Sequence, residues 1–252
     1  MLLLIIAATL IVGLVSLISV ILVFIKKTAP TLLPPLISLA AGSLLSVTFL
    51  DLLPEALAEG QIEAKIIFGI TLISILFFFS FERILHWHHC RCEEEGKKHS
   101  PIKKNLIFIN LAGDAIHNLV DGFLIASAFM LNIQTGLAVT IAVILHEIPQ
   151  EISDFGILLY AGLKKGRAIL YNLLVSLTAA AGAILFYFSG QVFTNLIPVV
   201  AAFAAGNFLY LATADLIPEL HHETNSKKVV THSLWLIMGV ALIVIFQLIT
   251  PA

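Results

Sequence analysis

The sequence predicts an all-α integral membrane protein of eight transmembrane helices, and three observations carry that expectation. Of its 252 residues, 59% are hydrophobic and 12% charged, with a mean hydropathy of +1.02, whereas a soluble globular chain is about a quarter charged. Crossing the hydrocarbon takes roughly 20 apolar residues, and such runs recur at 2–25, 31–53, 66–85, 106–130, 136–163, 168–189, 198–220 and 229–249. Sorted by the loops of an eight-span chain, 13 of the 14 Lys and Arg residues fall on one side and only Lys65 on the other. The basic side is cytoplasmic, which puts both termini outside, in the cell membrane. One span more or fewer would scramble this sorting. The net charge of −2 is itself uninformative, and no nucleic-acid partner is expected.

The first run is too long for the apolar part of a signal peptide, and Lys26 and Lys27 follow it rather than precede it, so it reads as a retained span. The second ends in Asp51-Leu52-Leu53-Pro54-Glu55, and the seventh ends in Asp215-Leu216-Ile217-Pro218-Glu219. In the eight-span topology this shared D-L-x-P-E word lies at opposite membrane faces. An inverted repeat produces that placement, and transporters built so hold substrate at the repeat interface. Residues 2–85 and 168–250 would then be matching three-helix units around a central pair in 105–163. A Pro followed by an acid is also a common way to end a helix. Asp51 and Glu55 would stand at the outer mouth, and Asp215, Glu219, His221 and His222 at the inner one.

Between the third and fourth spans lies the one long hydrophilic stretch, 86–104, expected to be a cytosolic loop. It holds His86, His88, His89, Cys90, Cys92 and His99. It lacks the ordered C-x-x-C pairs of a structural zinc site, and Cys90 and Cys92 are too close for an unstrained disulfide. Two readings stand: a solvated loop with incidental ligands, or a weak cytosolic metal collector.

The central pair carries the charge. In the fourth span Asp114, His117, Asn118 and Asp121 recur at i, i+3, i+4 and i+7, on one helical face. The fifth span holds His146, Glu147, Gln150, Glu151 and Asp154 in a broad stripe. Pro149 lies inside that stripe and frees a carbonyl one turn back. An ionised group at the bilayer centre costs at least about 2.5–3.5 kcal/mol on insertion scales. The seven titratable groups of these two spans, unpaired, would cost on the order of 15 kcal/mol or more. Neither span has a Lys or Arg in this region, so the compensating charge must come from protons or from a bound cation. Imidazoles with carboxylate and amide oxygens suit Zn²⁺, and the carboxylates also accept Fe²⁺ or Mn²⁺. The competing explanation is a hydrogen-bonded polar seam with its acids protonated. Asp114 and Asp154 are further candidates for the ion's path, Asp154 on the inner side. The sixth span offers only Asn172 and Ser176 as polar groups and no acid.

H-N-L-V-D-G at 117–122 and H-E-I-P-Q-E-I-S-D-F at 146–155 resemble the fourth- and fifth-span signatures of the ZIP family of divalent metal transporters. The resemblance extends to F-L-Y-L-A-T-A-D-L-I-P-E-L at 208–220, the His-containing basic-side loop and the eight-span plan with both termini outside. It implies a 3+2+3 helix arrangement and movement of Zn²⁺, often with Fe²⁺ or Mn²⁺, toward the cytosol. The metal site, often binuclear, would lie between spans four and five. By that resemblance His117, Asn118, Asp121, His146, Glu147 and Gln150 match the ligand positions, and Glu151 matches the acid that follows. The metal is cargo, no prosthetic group is implied, and members are commonly dimeric. Gln150 departs from the His or Glu of many members, Ser153 from a usual Gly. Two other classes stay open. HEIPQ is one residue from the zincin H-E-x-x-H, but Gln150 takes the second His position of such an intramembrane metalloprotease. The H-x-x-x-D of His117 and Asp121 suggests a cation-efflux transporter, which has six spans and a cytosolic domain.

Overall fold

The computed structural model describes the backbone except at residues 25–28, 59–61, 95–103, 193–195, 222, 224 and 250–252. It describes the remaining side chains except at 16, 19–24, 29–32, 82, 84–94, 104–106 and 109. Among the described residues every regular element is helical: α1 (Leu2–Phe24), α2 (Ala29–Val47), α3 (Leu53–Ala58), α4 (Ala64–Glu94), α5 (Lys104–Leu131), α6 (Ile133–Tyr160), α7 (Lys165–Val192), α8 (Leu196–Tyr210), α9 (Ile217–Leu220) and α10 (Ser226–Ile249). Six stretches are long and apolar enough to cross a membrane: Leu33–Ala58, Ala64–Phe81, Asn110–Leu131, Lys165–Val192, Leu196–Leu220 and Ser226–Ile249. In α1 the described apolar stretch is the shorter Leu2–Val15. α6 is not among the six, because its stripe of His146, Glu147, Gln150, Glu151 and Asp154 lowers its average.

Three boundaries depart from the sequence expectation. α4 runs on to Glu94, so residues 86–94, expected as loop, have helical backbone. No Gly or Pro interrupts the chain there before Gly96, and a helix leaving the apolar layer loses nothing by carrying charge. Pro54 and Pro218 do not end their helices but lie just past π-helical turns, Thr48–Leu52 and Leu211–Leu216. Proline has no amide and its ring crowds the carbonyl four residues back. The helix therefore widens: the Leu53 amide reaches Thr48 O and the Ile217 amide reaches Ala212 O. The Leu50 carbonyl accepts instead from Gln247 Nε2 at 3.3 Å. Such π turns are frequent at functional positions.

The repeat is longer than the D-L-x-P-E word. Ala40-Ala41-Gly42 recurs as Ala204-Ala205-Gly206, at the same 164-residue offset that pairs Asp51 with Asp215. Both glycines serve one purpose. A Cβ on Gly42 would lie 2.0 Å from Leu236 O, and one on Gly206 would lie 2.4 Å from Thr71 O. Each marks a backbone-to-backbone crossing of the small-residue kind that brings membrane helices close. The helix contacts repeat too: α2 packs on α10 as α8 packs on α4, α6 on α1 as α5 on α7, and α2 on α6 as α8 on α5. α2 and α10 are parallel, Ser46 Oγ lying against Val240 O and Gln247 against Leu50 O.

α5 and α6 form the centre. Asn132 joins them in a single-residue link and caps α6, its Oδ1 accepting from Thr135 N at 2.8 Å. At the other end Gly162, with φ of 90°, takes the left-handed conformation that closes a helix. α5 is pressed onto α7, where a Cβ on Gly122 would lie 1.9 Å from Ala179 O and one on Gly182 2.2 Å from Leu119 O.

Candidate metal site

Four ionisable side chains from α5 and α6 converge in the protein interior. His117 and Asp121 stand one turn apart on α5, and His146 and Glu147 are neighbours on α6. One ligand atom from each lies within 4.8 Å of all the others. Asp121, His146 and Glu147 are at most 1% exposed, while the His117 side chain retains 17%. The Phe208 ring, 5.9 Å from that of His146, walls one side, and the two imidazoles meet edge to face at 5.5 Å.

His146 is oriented by a single contact. Its Nδ1 is 3.1 Å from Ala142 O, which can only accept, so Nδ1 donates there and Nε2 is the nitrogen turned inward. Around Nε2 stand Asp121 Oδ2 at 3.2 Å, His117 Nε2 at 3.4 Å and Glu147 Oε1 at 3.9 Å. His117 Nε2 in turn is 3.4 Å from Glu147 Oε1 and 3.5 Å from Asp121 Oδ2. Charge-assisted hydrogen bonds between imidazolium and carboxylate would close to about 2.7–2.9 Å. A tetrahedral ion with bonds of about 2.0–2.2 Å holds its ligand atoms about 3.3–3.6 Å apart. Three of the five separations, at 3.4–3.5 Å, fall in that range, while His146 Nε2 lies 3.2 Å from Asp121 Oδ2 and 3.9 Å from Glu147 Oε1.

The other expected ligands point elsewhere. Asn118 donates Nδ2 to Asp114 Oδ1 at 2.7 Å and to Asp114 O at 3.1 Å; its buried Oδ1 has no hydrogen-bond partner among the described residues. Gln150 is half-buried. Glu151 is buried and takes the Asn172 amide. Asp114, 5% exposed, has Glu151, Asp154 and Glu147 as electrostatic neighbours, and half-buried Asp154 stands beside Asn110. Asp114 and Asp154 also have His117 as an electrostatic neighbour, so with Glu151 they continue the polar interior from that imidazole.

At the expected mouths, Asp51 is 5% exposed with no hydrogen-bond partner for Oδ2 among the described residues, and Glu55 is half-buried. Asp215, Glu219 and His221 are exposed. His222 and His99 lie outside the described residues, as do the side chains of His86, His88, His89, Cys90 and Cys92. Besides Asn110, buried with its Nδ2 unpartnered among the described residues, two buried polar residues escaped the sequence reading. His232 on α10 is 9% exposed, its Nδ1 without a partner among the described residues, and Asn207 on α8 is buried with Nδ2 in the same condition. A lone His in an apolar span was the available signal for the first. The A-A-G repeat, followed by Asn207 where the first copy has Ser43, was the signal for the second.

Comparison with known proteins identifies the family. The ZIP Zinc transporter family model matches residues 93–247. The zinc transporter ZIP13 of Pongo abelii is 32% identical over 229 residues, covering 86% of this chain and 67% of that protein. The zinc transporter ZIP10 of Danio rerio is 41% identical over 118 residues, 47% of this chain and 14% of the relative, and that of Homo sapiens 36% over 146 residues, 54% and 17%. The chain therefore spans less than a fifth of the length of either ZIP10 protein.

Proposed function

Since the chain belongs to the ZIP zinc transporter family, we propose that it is a transporter and not an enzyme, carrying Zn²⁺ across a membrane toward the cytosol, with Fe²⁺, Mn²⁺ and Cd²⁺ as further candidate cargoes. The observation that carries this reading is the convergence of His117, Asp121, His146 and Glu147, whose ligand atoms all lie within 4.8 Å of one another, in a stretch of two helices that has no Lys or Arg beside them. The unsatisfied Asn118 Oδ1 is a ready additional oxygen ligand.

In this reading all eight rods span the bilayer, α1 and α6 included, as a 3+2+3 arrangement with both termini outside. The paired π turns, the A-A-G crossings and the exchange symmetry of helix contacts support it. α6 spans despite its polar stripe because five of its groups face protein and cargo rather than lipid. Ions enter past Asp51 and Glu55, pause at the central four, and leave past Asp114, Asp154 and the inner acids and histidines. The His/Cys segment after α4 collects metal on the cytosolic side. Gln150 at the second zincin position leaves the protease reading without a ligand set.

The test is uptake of radiolabelled Zn²⁺ into proteoliposomes holding the purified chain, with unlabelled Zn²⁺, Fe²⁺, Mn²⁺ and Cd²⁺ as competitors. Saturable inward flux displaced by Zn²⁺ is the expected result. No flux above empty vesicles, or flux only outward through oriented protein, contradicts it.

A further inference from the structure

At the expected outer mouth, the last helix contributes one polar group. From Ser233 to the end of α10, Gln247 is the only residue whose side chain carries an amide or a charge. It sits in the last turn beside Leu248 and Ile249, which are 77% and 73% exposed. A polar side chain that close to lipid needs a partner, and the partners are on the π turn at Thr48–Leu52. Pro54 has no amide to give the Leu50 carbonyl four residues back, and Gln247 Nε2 donates to that carbonyl at 3.3 Å. The same amide stands beside the Asp51 carboxyl. Asp51 is 5% exposed, and its Oδ2 has no hydrogen-bond partner among the described residues. α10 is a firm post for this contact, because a Cβ on Gly239 would lie 2.2 Å from Leu39 O and one on Gly42 2.0 Å from Leu236 O.

We propose that Gln247 is a positioning residue of the outer mouth, holding the Leu50 carbonyl and the Asp51 carboxyl so that Asp51 Oδ2 is presented to an incoming divalent cation. The inference rests on the reading that ions enter past Asp51. A side-chain amide has two N–H groups, one for the carbonyl and one for the carboxyl. It steadies the carboxyl without cancelling its charge, as a Lys or Arg at 247 would, and it leaves the second oxygen free. Without the amide, the Leu50 carbonyl loses its donor and the Asp51 side chain is free to turn from the ion's path. The first encounter with the ion weakens, while the central four on α5 and α6 keep their geometry.

The test is radiolabelled Zn²⁺ uptake as a function of zinc concentration in proteoliposomes of the full chain, for the natural sequence, Gln247→Met, Asp51→Asn and the double variant. Methionine keeps the length of glutamine, carries no donor and suits lipid. In Gln247→Met the uptake KM should rise about tenfold, the worth of one hydrogen bond to a charged group. Maximal uptake, and the zinc Kd of the purified protein, should stay within about twofold of the natural values. In the Asp51→Asn chain the same substitution should add less than about twofold, since residues that act through one another are not additive. An unmoved KM in Gln247→Met, a fall in maximal uptake alone, or the full rise repeated on top of Asp51→Asn overturns the role given to Gln247. An unmoved KM in Asp51→Asn overturns instead the entry reading beneath it. If Gln247→Met does not insert, Gln247→Leu carries the same test.

Discussion

Adding one methyl group at Gly122 should disable the metal site without touching a ligand. Gly122 follows Asp121 on α5, and the Cβ of an alanine there would lie 1.9 Å from the Ala179 carbonyl oxygen and 2.8 Å from Ala183 N. Both neighbours are backbone, so neither can rotate away. Real Cβ contacts do not fall under 3.0 Å, and α5 must therefore move relative to α7 by at least 1.1 Å, the shortfall at Ala179. Metal coordination tolerates about 0.2 Å, and Asp121 Oδ2 sits 3.2 Å from His146 Nε2 on the other helix. Overpacking of this kind costs about 1–3 kcal/mol. If that cost falls on the ligand geometry, at about 1.4 kcal/mol per decade, zinc affinity drops by on the order of 5- to 150-fold. The assay is zinc competition against a fluorescent chelator for the purified Gly122→Ala protein, with transport KM in vesicles beside it. Gly156→Ala on α6 is the control, because nothing lies within 4 Å of its Cβ and alanine is the better helix former. An unchanged zinc Kd in Gly122→Ala, or equal losses in both variants, refutes the reasoning.

Further predictions concern the two ends of the pathway. In a chain with Cys90 and Cys92 changed to Ser, Asp215→Cys should react with a soluble maleimide faster than Asp51→Cys, because Asp215 is exposed and Asp51 only 5% so; equal rates would contradict the burial difference between the two repeat positions. Outside the spans, Glu223 pairs with Lys228 at 2.9 Å, and the Lys228 hydrogen bond, ahead of the Asn225 amide, holds its carboxyl below the ordinary value. A depressed folded-state pKa contributes stability above the unfolded pKa that is lost as pH falls through the folded one. Lys228→Met should therefore raise the Glu223 carboxyl titration followed by carbon NMR and weaken that acid-side dependence; an unmoved titration counts against the pair.

How far the sequence spoke depended on whether a feature was local. The polar faces of α5 and α6 were legible because residues three and four apart must share a side of a helix, and a run of acids inside apolar spans needs compensation wherever it occurs. Which members of a broad stripe converge was not legible. Asn118 turns back to Asp114 on its own helix, and Glu151 is drawn to Asn172 on a third, choices set by rotamers and long-range packing. The repeat was visible in Asp51 and Asp215 because charge stands out, whereas Ala40-Ala41-Gly42 and Ala204-Ala205-Gly206 are bland residues whose meaning is a backbone crossing. Pro54 and Pro218 looked like helix ends. The chain instead absorbs each with a wider turn, because neighbouring helices supply partners such as Gln247 for the carbonyl left over. The extension of α4 to Glu94 was hidden by composition, since a charged, His-rich segment reads as loop whether or not its backbone is helical.

The most direct measurement of the central claim is inward flux of radiolabelled Zn²⁺ through the His117→Ala/His146→Ala protein, reconstituted beside the natural chain at equal inserted amounts. With two of four ligands gone, and Asp121 and Glu147 left facing each other without an imidazole between them, uptake should fall to that of empty vesicles. Replacing His88 and His89 should only adjust the rate. Uptake by the double variant equal to that of the natural chain would contradict the assignment of the metal path to α5 and α6.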